Sequence, residues 1–211
     1  MKNPRHIDLP ESECKWRMRR AADLLKEEDL DELILTQNKK GYYITGIQHV
    51  DVLKDIKDMP PTVVILTKDQ DAIIVGRWPR SHLIIREPCW PENGVSYCKN
   101  EDPTEAIARA LHEYGLSEGK VGMELNGGMR LGLSIEEGDM FKKEACESLN
   151  VDIVDGSVVW RLRGIKSDFE IERLRRSAHA TCKALEYAIE NVEVGMNEVE
   201  LARKAGQIMM E

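Results

Sequence analysis

The chain has 211 residues and a formal net charge of -8, with 42% hydrophobic and 32% charged residues. This balance is typical of a folded globular protein and excludes the disordered and fibrous classes. The acidic charge argues against a nucleic-acid backbone as the main partner, because such binding draws on clustered positive charge. No apolar run approaches the roughly 20 residues that span a membrane, and Met1–His6 lack the apolar core of a secretory signal. We therefore expect a cytoplasmic protein that binds neither nucleic acid nor membranes.

The cysteines are odd in number, widely spaced and without a CxxC pair: Cys14, Cys89, Cys98, Cys146 and Cys182. An even number of cysteines is typical of a disulfide framework, and closely spaced pairs are typical of a zinc knuckle. The pattern therefore indicates reduced thiols, in keeping with an intracellular protein.

Helical and strand patterns alternate over the first 155 residues. The order begins with a helix over 11–29, a strand over 33–36, a polar loop over 49–59 and a hairpin with strands at 62–66 and 72–75. It continues with a helix that Asp102 caps and Gly115 ends, a strand over 120–124, a helix over 135–149 and a strand over 151–154. Such alternation predicts an α/β layer structure, and the hairpin makes the sheet mixed rather than purely parallel.

The pattern changes to helix alone after about residue 157. Ser167 and Glu170 form the signature of a capping box at the start of a helix that runs for more than twenty residues. Gly195 interrupts the pattern, and Asn197 opens a further helix that continues to the last residue of the sequence. We expect a first domain over residues 1–157 and a linker with helices over 158–211.

Motifs of established chemistry are missing from the sequence, which contains no HExxH, GxSxG, Walker-type or GxGxxG pattern. The histidines are scattered, and no two of them are spaced to share a metal from one helix face. Asp58 and Asp69 are candidate ligands that could bridge two metal ions. Both fall in predicted turns, however, where aspartate favours hydrogen bonds to the local backbone. We therefore assign no catalytic and no metal-binding residue to this chain.

Three sequence segments, in their order along the chain, resemble segments of the creatinase/prolidase family. They are RRAADLLKEEDLDELILTQNKKGYYITGI (Arg19–Ile47), GKVGMEL (Gly119–Leu125) and VVWRLRGIKSDFEIERLRRSAHATCKALEYAIENVEVGMNEVEL (Val158–Leu201). The first resembles the family's opening helix, strand and Tyr-x-Thr-Gly phrase. The last resembles its Arg-x-Ile-Lys-Ser linker and the first helices of the catalytic "pita-bread" domain. The resemblance covers nearly the whole chain.

The resemblance implies an N-terminal domain with a mixed β-sheet flanked by helices, ribonuclease H-like, followed by helices from the start of a truncated pita-bread domain. In the family, two divalent ions (Mn, Co or Zn) activate a water molecule for attack on the scissile carbonyl. Their aspartate, histidine and glutamate ligands lie beyond the segments matched here. We therefore expect no cofactor in this chain, two metal ions in a full-length parent, and a fragment that is inactive alone.

The resemblance also implies a homodimer in which a loop after the Tyr-x-Thr-Gly phrase enters the partner's active-site mouth. On this chain that loop carries His49, Asp51 and Lys54, which we expect to lie near the substrate in trans. An ordinary polar surface loop has the same composition, so this alternative stays open.

The expected function is the dimerisation and substrate-gating part of a metal-dependent hydrolase, most simply a proline-specific aminopeptidase or dipeptidase that acts on proline-containing peptides. Two alternatives remain. One is a non-catalytic protein- or peptide-binding module, such as the histone-chaperone relatives in the family. The other is a creatinase-type amidinohydrolase parent. The N-terminal halves of amidinohydrolases and peptidases in this family have similar sequence patterns, so the pattern does not separate the two.

Overall fold

A computed structural model describes residues 9–46, 62–77, 93–98, 100–126 and 131–210. The chain divides into two compact units, residues 1–164 and 165–211. The domain boundary expected after residue 157 stays a prediction. Within the described residues, no helix has both the length and the apolar character needed to cross a bilayer.

Strands and helices alternate along the first unit. In chain order they are α1 (Glu11–Glu27), β1 (Glu32–Leu35), α2 (Asn38–Thr45), β2 (Val63–Thr67), β3 (Ala72–Arg77), β4 (Asn93–Tyr97), α3 (Pro103–Glu113), β5 (Gly119–Met123), α4 (Ile135–Ser148), β6 (Val151–Asp155) and α5 (Val158–Gly164). Three of these, α2, β4 and α5, were missed by the sequence patterns, whereas the other predicted helices and strands are confirmed within one or two residues. The predicted polar loop over 49–59 lies outside the described residues.

The described strands form one six-stranded sheet in the order β4-β3-β2-β1-β5-β6. Strand β1 pairs antiparallel with β2 and parallel with β5, while β2 and β3 form the predicted antiparallel hairpin. The two outer described strands are parallel to their neighbours: β4 pairs with β3, and β6 pairs with β5. The sheet is therefore mixed, as the hairpin pattern predicted.

Hydrophobic side chains cover both faces of the sheet, because successive residues of a strand point to opposite sides. On one face Ile34, Ile65 and Val121 pack with helices α3 and α4. On the other face Leu33 and Leu35 pack with helices α1, α2 and α5. The first unit is thus a three-layer α/β/α arrangement, and the expected fold class is confirmed.

Local signals explain where several helices begin. The Asp102 carboxylate accepts a hydrogen bond from the Thr104 N–H at 2.8 Å and caps α3, whose first residue is Pro103. At the start of α4, Ser134 Oγ accepts from the Glu137 N–H at 3.1 Å, and the Glu137 carboxylate accepts from the Ser134 N–H. These caps satisfy backbone donors that have no partner within the helix.

The second unit consists of two packed helices, α6 (Asp168–Asn191) and α7 (Glu198–Met210). The predicted capping box is present: Ser167 Oγ accepts from the Glu170 N–H, and the Glu170 carboxylate accepts from the Ser167 N–H, both at 3.1 Å. Ala184 is buried, whereas Leu185, Ile189 and Val199 are exposed. The apolar positions that set the helical periodicity thus remain largely in contact with solvent.

Candidate functional site at the carboxyl edge of the central strands

The carboxyl ends of β1 and β5 lie side by side, because the two strands are parallel neighbours. Thr36 follows β1 and Glu124 follows β5, so both side chains lie at the same edge of the sheet. In open α/β sheets this edge is where ligand and catalytic groups gather. It is therefore the first place to look for chemistry.

A closed polar network occupies this edge. Glu124 Oε2 accepts hydrogen bonds from Thr36 Oγ1 at 2.9 Å and from the Thr36 N–H at 3.2 Å. The ammonium of Lys40, in the first turn of α2, contacts Glu124 Oε1. Thr36 Oγ1 also accepts from the Gly132 N–H at 2.8 Å. All three side chains are buried, so the network joins β1, β5, α2 and the segment at Gly132 without exposing a reactive group.

Gly132 has to be glycine for this contact to form. A Cβ atom at this position would lie 2.1 Å from the Thr36 carbonyl oxygen, well inside any real contact distance. The backbone of residue 132 can therefore donate to Thr36 Oγ1 only because the residue has no side chain.

A second buried cluster supports the other side of α2. Arg17 Nε donates to Glu13 Oε1 at 2.8 Å, and the Arg17 guanidinium also donates to the Tyr43 carbonyl oxygen. The same guanidinium lies 4.1 Å from the centre of the Tyr43 ring, and that of Arg163 lies 5.8 Å from it, both within the range of cation–π attraction. These contacts hold α2 against α1 and α5.

Helix α2 therefore anchors both described flanks of residues 47–61. Its C-cap, Gly46, has a φ of 70° in the left-handed region, which ends the helix just before residue 47. At the other flank, the Thr62 N–H donates to Asn38 Oδ1 at 3.3 Å, at the first residue of the same helix. The predicted substrate-proximal residues His49, Asp51 and Lys54 lie outside the described residues, and their role stays a prediction.

The described residues do not fit a metal centre. No group of three His, Cys, Asp or Glu side chains within them is arranged to hold an ion. Asp69 lies in the turn between β2 and β3, where the sequence placed it, and Asp58 is outside the described residues. The family's two-metal chemistry therefore finds no ligand set here, and we derive no catalytic step from this part of the chain.

The sequence contains only a weak indication of the buried Thr36–Lys40–Glu124 network. Thr36 and Glu124 each follow a short apolar run, which is the position of carboxyl-edge residues in a parallel sheet. From sequence alone Lys40 is expected at the surface, since a lysine is almost never fully buried unless it is paired. Its burial follows from the Glu124 carboxylate, 84 positions further along the chain.

Comparison with known proteins identifies the family. The model of the Creatinase/Prolidase N-terminal domain matches residues 17–165, more than two thirds of the chain. The chain belongs to the creatinase/prolidase family. The expected resemblance is thereby confirmed, and the match includes the Thr36–Lys40–Glu124 network and all of the second cluster except Glu13. A comparison with curated protein sequences finds no match.

Solved structures of this family share the fold. Dipeptidase PepE from Mycobacterium ulcerans superposes with a TM-score of 0.68 at 18% identity, covering 96% of this chain and 50% of its own. The prolidase from Thermococcus sibiricus has a TM-score of 0.67 at 20% identity, covering 93% and 49%. The Xaa-Pro dipeptidase from Bacillus anthracis has a TM-score of 0.67 at 17% identity, also covering 93% and 49%. The chain thus spans about half the length of these structures and corresponds to the N-terminal half.

Proposed function

We propose that this chain is the N-terminal, dimerisation and substrate-gating part of a metal-dependent hydrolase that cleaves Xaa-Pro peptides in the cytoplasm. The observation that carries the proposal is the family match over residues 17–165. Structural neighbours named as dipeptidases, prolidases and an X-Pro aminopeptidase support a proline-specific aminopeptidase or dipeptidase. A chain of these 211 residues alone is then inactive, because transition-state stabilisation needs positioned groups that the described residues do not supply.

Two divalent ions, Mn, Co or Zn, belong to the proposal but not to the described residues. In the proposed full-length parent they are held by a downstream catalytic domain. The metal ions would supply the chemistry of an activated water molecule. The present residues contribute helix α2, held on one side by the Lys40–Glu124 pair and on the other by Arg17.

The experiment that tests the proposal starts from the native protein, isolated from its source with an antibody raised against this chain. We expect an intact mass of about twice the 24.1 kDa of the present chain, because the chain covers about half of each neighbour. We also expect hydrolysis of an Ala-Pro dipeptide that is lost in EDTA and recovered with Mn²⁺, Co²⁺ or Zn²⁺. A native species of 24.1 kDa without peptidase activity would overturn the proposal and favour the binding-module alternative.

The role of His49, Asp51 and Lys54 requires a separate test in that native enzyme. Replacing all three with alanine is expected to lower kcat/KM for Ala-Pro at least tenfold, while Lys39→Ala, an exposed position on α2, leaves it unchanged. Action in trans predicts complementation. Mixed dimers of the triple variant with a subunit lacking its metal ligands should regain activity, because the intact catalytic site then receives the partner's intact segment. Unchanged kcat/KM in the triple variant would remove these residues from the site.

A further inference from the structure

Glu32 is a buried carboxyl group at the first residue of β1. Only 5% of the residue is exposed, and its side chain lies on the same sheet face as Ile34 in the first hydrophobic core. Its register partners are Thr67 on β2 and the apolar Val121 on β5. Among the described residues, Glu32 Oε2 has no hydrogen-bond partner. A negative charge at this position is costly, because no donor among the described residues compensates the buried Oε2.

The neighbouring residue Asp31 has the opposite environment. Its carboxylate accepts a hydrogen bond from the Lys68 ammonium and another from the Lys120 N–H at 2.9 Å. The Lys68 hydrogen bond, followed by the Lys120 N–H, holds the pKa of Asp31 below its usual value. Two consecutive carboxyl groups are thus driven toward different protonation states.

Burial is the largest influence on Glu32, and it raises the pKa of this carboxyl group to about 7. The charge of Asp31, the residue before β1, and that of Asp69 in the turn after β2 raise it further, whereas Lys68 in the same turn lowers it. Lys68 is therefore attracted by both carboxyl groups, and of the two its ammonium is hydrogen-bonded to Asp31. Only Lys68 among these three charges would stabilise an ionised Glu32.

We propose that Asp31 and Glu32 form a pH-dependent switch, in which Glu32, once ionised, leaves the core face and competes with Asp31 for the Lys68 ammonium. The competition acts at one end of the sheet. Besides its side-chain contacts, Asp31 accepts the Lys68 N–H through its own carbonyl and donates its N–H to the Lys120 carbonyl, both at 2.9 Å. Ionisation of Glu32 therefore loosens the junction of β1, β5 and the turn after β2.

The switch can be observed in the unmodified 211-residue chain. The ¹³C shift of the Glu32 carboxyl and the ¹H shift of the Lys120 amide are followed by NMR from pH 5 to 9. Both are expected to change together, with a midpoint near 7, and Glu32→Gln is expected to abolish the change at Lys120. A Glu32 carboxyl that titrates near its usual value, or a Lys120 amide without a transition between pH 6 and 8, would overturn the proposal.

Two further variants separate the switch from a general loss of structure. Asp31→Asn removes a negative charge beside Glu32 and is expected to lower the midpoint of its titration. Lys68→Met removes the opposing positive charge and is expected to raise it. Glu105→Gln, an exposed position on α3, is expected to leave the midpoint where it is. Shifts in the same direction for Asp31→Asn and Lys68→Met would contradict the competition for Lys68.

Discussion

Lys40 and Glu124 form an ion pair that is shut off from solvent, with side chains only 5% and 0% exposed. Taking two charges out of water is expensive, and this cost is offset only when each charge keeps its partner and further hydrogen bonds. Glu124 has those bonds from Thr36. The pair therefore makes the position of α2 depend on the carboxyl end of β5.

Removing one member of this pair is expected to be strongly destabilising. Lys40→Met leaves the Glu124 carboxylate buried without a counter-charge, which costs about 3–5 kcal/mol of unfolding free energy. Urea unfolding monitored by near-UV circular dichroism measures this loss. Lys120→Met is the matched control, because its pair with Asp29 is largely exposed and solvent screens it, so its loss is expected to be much smaller. Equal losses in the two variants would show that burial of the Lys40 pair is unimportant.

Arg17 offers a comparison within one helix. Arg17→Ala leaves Glu13 buried and removes the donor to the Tyr43 carbonyl, with an expected loss of about 3 kcal/mol. Lys15→Ala breaks a pair of the same spacing on the exposed face of α1 and is expected to have little effect on stability, because solvent screens that pair. Thermal unfolding of both variants under one buffer condition gives the comparison. A melting temperature for Arg17→Ala equal to that of Lys15→Ala would contradict the expectation.

The capping box of α6 predicts a local effect. Ser167→Ala removes the acceptor of the Glu170 N–H and is expected to cost the helix about 1 kcal/mol. Hydrogen exchange should show faster exchange in the first turn of α6, with α3 unaffected. The control Ser177→Ala lies at an exposed position inside α6, where alanine is the better helix former, so exchange is expected to slow or stay unchanged. Faster exchange in α6 for both variants would exclude the cap as the cause.

Glu32 makes stability depend on pH in a direction opposite to most carboxyl groups. Its folded-state pKa is raised to about 7, so the folded chain binds a proton that the unfolded chain loses near 4.5. Stability from this group is complete below about pH 4.5, falls as the pH rises toward 7 and is constant above, a total of about 3 kcal/mol. Urea unfolding at intervals from pH 4.5 to 8.5 tests this. We expect Glu32→Gln to be more stable than the unmodified chain at pH 8 by a similar amount, and a larger difference at pH 5 than at pH 8 would refute it.

Elements with strong local signals were predictable from the sequence. The apolar spacing of α1, the β2–β3 hairpin, the Asp102 cap and the Ser167–Glu170 box all act within a few residues. Helix α2 was missed, because Gly41, two tyrosines and two β-branched residues are weak helix formers. Its conformation depends on tertiary contacts such as the bond from Arg17 to the Tyr43 carbonyl.

Strand β4 was missed for a related reason. It begins with Asn93-Gly94, a dipeptide typical of turns, and among the described strands it pairs with β3 alone. Helix α3 and the turn after it hold it in place: the Gly94 N–H donates to the Tyr114 hydroxyl at 3.1 Å, and the Arg109 guanidinium donates to the Ser96 carbonyl at 2.9 Å. Thr36 and Glu124 are 88 positions apart, so no local sequence pattern predicts their contact. The fold class was therefore accessible from sequence, whereas the buried network was not.

The pairing of β1 with β5 also sets the order in which this chain can fold during synthesis. The two strands are separated by more than 80 residues, whereas β2 and β3 are joined by a short turn. At about 5–20 residues per second, a ribosome needs roughly 4–17 s to produce the intervening chain. Until then strand β1, which is buried in the finished sheet, has no β5 partner along one edge. Nascent chains of this protein are therefore open to edge-to-edge association, and to chaperone binding, over that interval.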